Sequence, residues 1–204
     1  MENEKKHWYD GWFYDKFIAP NQDKLFEEII SHIESGSKVI DIGCGTGRLC
    51  FHLSNKCSEV VGVDLSSGNI KIANRNLSRK NISNIKFLHG NAEALSRDLK
   101  TKFDYAVITY MLHEILSEER DYVINEARLI ANKIIIGDYL VPMPKGLTST
   151  LNKFIEFLAG QNHFNNFKSF VGNGGLKYLV TNNKMEIIYD NQNIGYGSEL
   201  IIVV

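Results

Sequence analysis

No stretch of this chain approaches the roughly 20 consecutive apolar residues needed to span a bilayer. Its opening, Met1 to His7, is charged and has no apolar core of a secretory leader. Nor is there an excess of positive charge: 23 Lys and Arg face 24 Asp and Glu, for a formal net charge of −1. Phosphate backbones reward clustered Lys and Arg, so the composition does not ask for a nucleic-acid partner. Basic stretches such as Lys71 to Lys80 read as solvated helix faces. Cysteine is scarce as well. The three present, Cys44, Cys50 and Cys57, are an odd number at spacings that fit neither a disulfide framework nor a paired zinc knuckle. No metal site is read from the sequence, and a reducing cytoplasm is the expected compartment. Repeats and low-complexity segments are absent. What remains is the balance of a globular protein, 44% hydrophobic and 23% charged over 204 residues. That length suffices for one domain with a sizeable core.

The chain opens on a dense aromatic stretch, Trp8 to Phe17. A helix is expected from about Asn21 to Glu34, because Leu25, Phe26, Ile29, Ile30 and Ile33 recur at helical spacing; Gly36 ends it. Strands and helices then alternate. Strands are expected at Lys38–Ile42, Val60–Val63, Ile85–Leu88, Phe103–Ile108 and Lys133–Asp138. Helices are expected at Gly47–Asn55, Ser67–Arg79, Ala92–Leu99 and Ser117–Ala131. Continuous apolar strands separated by helices imply a parallel sheet covered on both faces, a doubly wound α/β fold. The tail changes character. A helix fits Ser149–Gly160, and an Asn- and Gly-rich segment follows from Gln161 to Gly175. Two final strands, Met185–Tyr189 and Glu199–Val204, flank a turn-like Asn191-Gln192-Asn193 and suit antiparallel pairing. The whole chain is expected to form one domain.

The strongest chemical signal is Asp41-Ile42-Gly43-Cys44-Gly45-Thr46-Gly47, directly after the first strand. Glycines let the backbone bend sharply and approach a ligand closely. In open parallel sheets, ligands sit beyond the carboxyl ends of the strands. A tight strand-to-helix turn is the plainer explanation. Asp64, ending the second strand, can accept hydrogen bonds from both hydroxyls of a ribose, or cap the next helix. Asn91-Ala92-Glu93 follows the third strand, where an amide can read an adenine edge or cap a turn. Thr109-Tyr110-Met111-Leu112-His113-Glu114 follows the fourth. Cys44 reads as a small apolar filler within the loop.

These motifs, from about Tyr14 to Val141, resemble the class I S-adenosylmethionine-dependent methyltransferases. The nearest branch is the small-molecule one (type 11 and type 25 domains), which includes quinone-biosynthesis C-methyltransferases. The resemblance implies a Rossmann-like seven-stranded sheet of order 3-2-1-4-5-7-6 with strand 7 antiparallel. It also implies roles. Asp41, Gly43, Cys44, Gly45 and Gly47 would wrap the methionine and ribose, Asp64 would hold the ribose hydroxyls, and Leu65 would pack on the adenine. Asn91, Ala92 and Glu93 would meet the adenine, and Thr109 and Met111 would line the methionine. Residues 1–35 would form a lid and helix with Tyr14 reaching inward, and residues 139–180 an insertion shaping the substrate pocket. Asn91 departs from the Asp usual there. The Asn/Asp-Pro-Pro-Tyr signature of enzymes that methylate nucleobase amines is missing.

The expected function is therefore methyl transfer from S-adenosyl-L-methionine to a small-molecule acceptor, leaving S-adenosyl-L-homocysteine. Candidate catalytic residues are His113, Asp138 and His163, with Glu114 and Tyr139 as further possible bases; each has a plain structural role as its competitor. The chain is expected to act as a monomer or homodimer. Two alternatives use the same loop. One is an NAD(P)-dependent oxidoreductase, although Gly47 comes one residue too soon for Gly-x-Gly-x-x-Gly. The other is a protein that binds S-adenosylmethionine without turnover.

Overall fold

The computed structural model describes residues 19–144, 156–157, 160–194 and 197–204. The chain starts with α1 (Ala19–His32) and continues through β1 (Lys38–Ile42), α2 (Arg48–Leu53), β2 (Glu59–Asp64), α3 (Ser67–Leu77) and β3 (Ile85–His89). A short 3-10 turn, Ala92–Ala94, leads into α4 (Leu95–Asp98), then β4 (Phe103–Thr109), α5 (Ser117–Ile130) and β5 (Ala131–Tyr139). The tail supplies α6 (Gln161–Asn173), α7 (Gly175–Asn182), β6 (Ile187–Ile194) and β7 (Ser198–Val203). The seven strands form one sheet in the order β3-β2-β1-β4-β5-β7-β6. Strands β1 to β5 are parallel, while β7 runs antiparallel to both β5 and β6. This is the topology expected from the sequence.

The two faces of the sheet explain why its central strands are largely apolar. Ile40, Ile42, Ala106 and Ile108 pack against Val123, Ile124 and Ala127 of α5 and Leu176 and Leu179 of α7. Their neighbours Val39, Tyr105 and Val107 point the other way, onto Leu25 and Ile29 of α1 and Leu53 of α2. Successive strand side chains alternate faces, so a strand covered on both sides has no polar position to spare.

The tail differs from its sequence reading in two places. Gln161–Gly175, read only as an Asn- and Gly-rich segment with no element assigned, is mostly α6, which buries Phe167 and Phe170. Burial of those rings outweighs the poor helix propensity of the intervening Asn and Gly residues. The helix ends at Gly174, whose φ of 100° suits a residue without Cβ. Asn191, Gln192 and Asn193 lie within β6 rather than in a turn. The strand is held there partly by α1: Tyr189 Oη and Asn191 Nδ2 both donate to Glu28 Oε1. No helix among the described residues is long and apolar enough to cross a membrane.

Buried charge in β7 gives a stability prediction. Glu199 lies opposite Asp138 of β5 and is 0% exposed. Neither carboxylate oxygen has a hydrogen bond among the described residues, and Lys177 Nζ stands 3.9 Å from Oε1. Burial, together with Asp190 and Asp138 and against Lys177, pushes its carboxyl up to about 7 from 4.5. The folded state therefore holds this proton more tightly than the unfolded one. Ionising Glu199 costs stability increasingly as pH climbs from about 4.5 to 7. Glu199→Gln should melt a few degrees higher than the parent at pH 8, and the gap should close near pH 4.5. A pH-independent gap in thermal melts would contradict the account.

Candidate active site

The bend after β1 is built from backbone. Gly43 and Cys44 donate their N–H groups to Val63 O at 2.8 and 3.0 Å, and Gly47 donates to Cys44 O at 2.9 Å. Gly43, Gly45 and Gly47 have φ of 78°, 54° and 82°, a region that side chains disfavour. The three glycines have different neighbours. A Cβ at Gly43 would stand 2.8 Å from Met111 Sδ, and one at Gly47 would stand 2.3 Å from Phe87 Cζ. At Gly45 no atom of the described residues lies within 4 Å. Packing within the protein therefore accounts for two of the three, and Gly45 faces space open among the described residues.

Asp64 reaches back from the end of β2 to brace this bend. Its Oδ2 accepts the Gly45 N–H at 2.8 Å, and its Oδ1 accepts the Ser66 N–H at 2.8 Å. The helix cap itself is Ser66, whose Oγ accepts from Asn69 N. Asn69 Nδ2 stands a further 3.4 Å from Oδ1, and Oδ2 keeps a second lone pair beyond its bond to Gly45. Beside it Leu65 is 72% exposed, an apolar side chain offered to solvent where the sequence places an adenine platform. Across the bend, Asp41 is 1% exposed. The Cys50 thiol donates to its Oδ2 at 3.3 Å, and Oδ1 has no partner among the described residues. Burial raises the Asp41 carboxyl to about 7 against the lowering contact of Cys50, and the charge of Asp64 adds to the rise. Cys44 is buried in the loop, as a filler would be.

Asn91 caps the 3-10 turn: its Oδ1 accepts the Glu93 N–H at 2.9 Å, and its Nδ2 stands 3.4 Å from Glu93 Oε2. Asn91 and Glu93 are exposed, and Ala92 is half-buried against the core. Thr109 ends β4, and Met111 packs against Gly43. Tyr110 between them takes φ 49°, a strained value for an aromatic residue. Tyr14 lies outside the described residues, as does most of the expected Ser149–Gly160 helix.

Beyond β4 and β5 the structure assembles a buried polar cluster. His113 is 2% and Asp138 0% exposed. His113 Nδ1 donates to Asp138 Oδ1 at 2.6 Å, and the Tyr139 N–H donates to the same oxygen at 2.7 Å. Asp138 is thus sealed beneath His113 and orients that ring. Tyr139 Oη donates to Glu156 Oε1 at 2.8 Å. His163, from α6, places Nε2 3.3 Å from Glu114 Oε1 and Nδ1 2.8 Å from Glu156 Oε2. Burial alone would favour neutral rings. Asp138 and Glu156 outweigh it at His113, which is held well above its usual range. Glu114 and Glu156 do the same at His163, raising it to about 9. Burial likewise opposes the charged form of Glu156, yet the two imidazoles hold it well below the usual carboxylate range. Arg120, 1% exposed, fixes the loop carrying His113: its Nε donates to Leu112 O at 2.8 Å and an NH2 to Asn166 O at 2.8 Å.

Sequence reasoning named His113, Glu114, Asp138, Tyr139 and His163 singly. It missed Glu156 and Arg120. The signal for Glu156 was there, a lone carboxylate inside the apolar run Phe154 to Leu158.

Residues 33–191 match the family described as Methyltransferase domain, and the chain belongs to that family. A putative ribosomal RNA large subunit methyltransferase of Methanocaldococcus jannaschii is 34% identical over 97 residues, covering 45% of this chain and 24% of its own length. A demethylmenaquinone methyltransferase of Staphylococcus carnosus is 33% identical over 120 residues, covering 54% of this chain and 47% of its own length. The chain thus spans a quarter to about half of the length of these relatives. Magnesium protoporphyrin IX methyltransferase from Synechocystis PCC 6803, solved with bound S-adenosylhomocysteine, superposes with a TM-score of 0.66 at 19% identity. That match covers 95% of this chain and 87% of the other. The class I methyltransferase fold and family expected from the sequence are present, and the family's methyl donor is S-adenosylmethionine.

Proposed function

We propose that this chain methylates a small-molecule acceptor by in-line displacement from S-adenosylmethionine. The observation that carries the reading is the bend at Gly45: open space over a bare backbone, braced by the Asp64 carboxylate. The unpartnered Asp41 Oδ1 beneath it adds negative potential where a cationic ligand would sit. When bound, the cofactor supplies a methyl on a sulfonium, already a good leaving group. The protein's work is then mainly to position the acceptor, an effect worth about 7–11 kcal/mol in well-oriented reactions. Asp64 would hold the ribose hydroxyls, Leu65 would pack on the adenine, and Asn91 would meet its edge. Thr109 and Met111 would flank the methionine.

The acceptor would lie toward the polar cluster. Residues 139–180 contribute Tyr139, Glu156 and His163 to it, which supports a substrate-shaping role for that segment. Held protonated by their carboxylates, the two imidazoles suit binding and orienting a polar acceptor better than taking its proton. The demethylmenaquinone named for one relative supports a small-molecule acceptor here; the ribosomal RNA named for another is the competing outcome.

Calorimetry on the full chain tests the cofactor site. A cation bound at the bend should draw Asp41 toward its ionised form, so S-adenosylmethionine binding should release a proton and tighten as pH rises through 7. At pH 7 we expect about half a proton released, read from enthalpies in buffers of different ionisation heat. Asp41→Asn should abolish the release. No heat at all would remove the cofactor assignment. Radiolabelled methyl transfer to hydroxylated small molecules, with ribosomal RNA alongside, tests the acceptor: label in RNA alone would refute a small acceptor, and binding without any transfer would favour a non-catalytic protein.

A further inference from the structure

We propose that His113, Glu114 and His163 form a binding site for one divalent transition-metal ion at the carboxyl ends of β4 and β5. One ligand atom from each of the three lies within 4.8 Å of the others. His163 Nε2 is 3.3 Å and His113 Nε2 3.9 Å from Glu114 Oε1. Donor atoms held about 2.0–2.2 Å from a tetrahedral ion stand roughly 3.3–3.6 Å apart, so small side-chain shifts close the set.

Spacing alone makes no site, but the cluster also leaves polar atoms unanswered. Glu156 is 4% exposed, yet its Oε2 has no hydrogen bond among the described residues, and neither does either ring nitrogen of His163. These atoms stand close to one another without the alignment of an N–H···O bond. Buried polar atoms are nearly always satisfied; Glu156 Oε2 and His163 Nδ1 at least face each other at 2.8 Å, which leaves His163 Nε2, beside Glu114, as the atom that asks for a ligand. Glu156 Oε1, 3.6 Å from His113 Nε2, borders the same gap.

The outer contacts fit as well. A metal-bound imidazole usually sets its other nitrogen against a carboxylate, which fixes the ring. His113 Nδ1 is 2.6 Å from Asp138 Oδ1, and His163 Nδ1 is 2.8 Å from Glu156 Oε2. Each ring is left with Nε2 near Glu114, and an ion bound there would displace the Nε2 protons that the carboxylates hold in the empty protein. Two imidazoles and one carboxylate select ions of the manganese-to-zinc series over Mg2+ or Ca2+, which take oxygen ligands. Three protein ligands leave coordination positions for water or for an acceptor oxygen. The inference rests on this cluster alone and not on the acceptor assigned above.

The test uses full-length protein stripped with a chelator and titrated with Co2+, Zn2+, Mn2+ and Mg2+, the Co2+ arm also being followed by its visible absorption. One Co2+ or Zn2+ per chain is expected, with Mg2+ at least about tenfold weaker. His163→Ala and Glu114→Gln should each weaken Co2+ binding by about 30-fold or more. S-adenosylhomocysteine affinity, measured in the same samples, should stay within about twofold of the parent, which separates failure of this site from failure of the cofactor site. The Glu114 side chain is 48% exposed, so that variant keeps the fold. No Co2+ binding at millimolar concentration, Co2+ affinity unchanged in both variants, or Mg2+ bound as tightly as Co2+ would each overturn the proposal.

Discussion

Asp64→Ala should weaken S-adenosylhomocysteine binding by about 100-fold or more while leaving the fold intact. A hydrogen bond to a charged group contributes about 1.5–3 kcal/mol, and each 1.4 kcal/mol is tenfold in affinity. Asp64 acts twice. It braces the bend through Gly45 N–H and Ser66 N–H, and in the proposed reading the acceptor capacity it has left takes the sugar hydroxyls. Alanine removes the brace and the acceptor together. Asp64→Asn separates these roles. An amide oxygen can still take one of the two backbone N–H groups, but its NH2 opposes the other, so the affinity should fall nearly as far. Isothermal titration reads both variants. A dissociation constant within threefold of the parent for Asp64→Ala would mean that the carboxylate serves only the loop's own structure, and the ribose assignment would go.

The parts of this site that follow from neighbouring residues were legible in the sequence. Val39, Ile40 and Ile42 are apolar because β1 is covered on both faces, and the bend after it is glycine-rich because the chain turns left-handed three times within five residues. Asp64 was legible because a strand end is a defined place in a parallel sheet. The polar cluster was harder. His113 and Asp138 lie 25 positions apart and meet because β4 pairs with β5, a pairing the strand order implies. His163 joins them only because Phe167 and Phe170 seat α6 against the sheet. Its Asn- and Gly-rich sequence hides that helix, since local propensity opposes what tertiary burial imposes. The same competition hid the continuation of β6 past Tyr189, where Tyr189 and Asn191 bond to α1 across more than 160 residues of chain. Local pattern thus pointed to the glycine bend and Asp64, and left the residues of the polar cluster as scattered candidates.

Gly45→Val and Gly47→Ala should separate binding from stability. Both glycines have positive φ, and a side chain in that region costs roughly 1–2 kcal/mol, more when β-branched. At Gly45 that backbone strain is the whole expected cost to the empty protein, because an added Cβ meets nothing within 4 Å. Gly45→Val should therefore melt only a few degrees below the parent, at roughly 2–4 °C per kcal/mol for a chain of this size. The valine methyls would occupy the space in which the cofactor must approach the backbone, so binding should fall below detection. At Gly47 the order reverses. The added methyl would lie 2.3 Å from the Phe87 ring in a buried position. Overpacking costs about 1–3 kcal/mol beyond the backbone strain, so Gly47→Ala should lose about 2–5 kcal/mol of stability. The part that still folds should bind, since the alanine methyl points at Phe87 and not at the open face. Normal binding by Gly45→Val would show that the open face is not where the nucleoside lies, and the functional reading would lose its strongest geometric support.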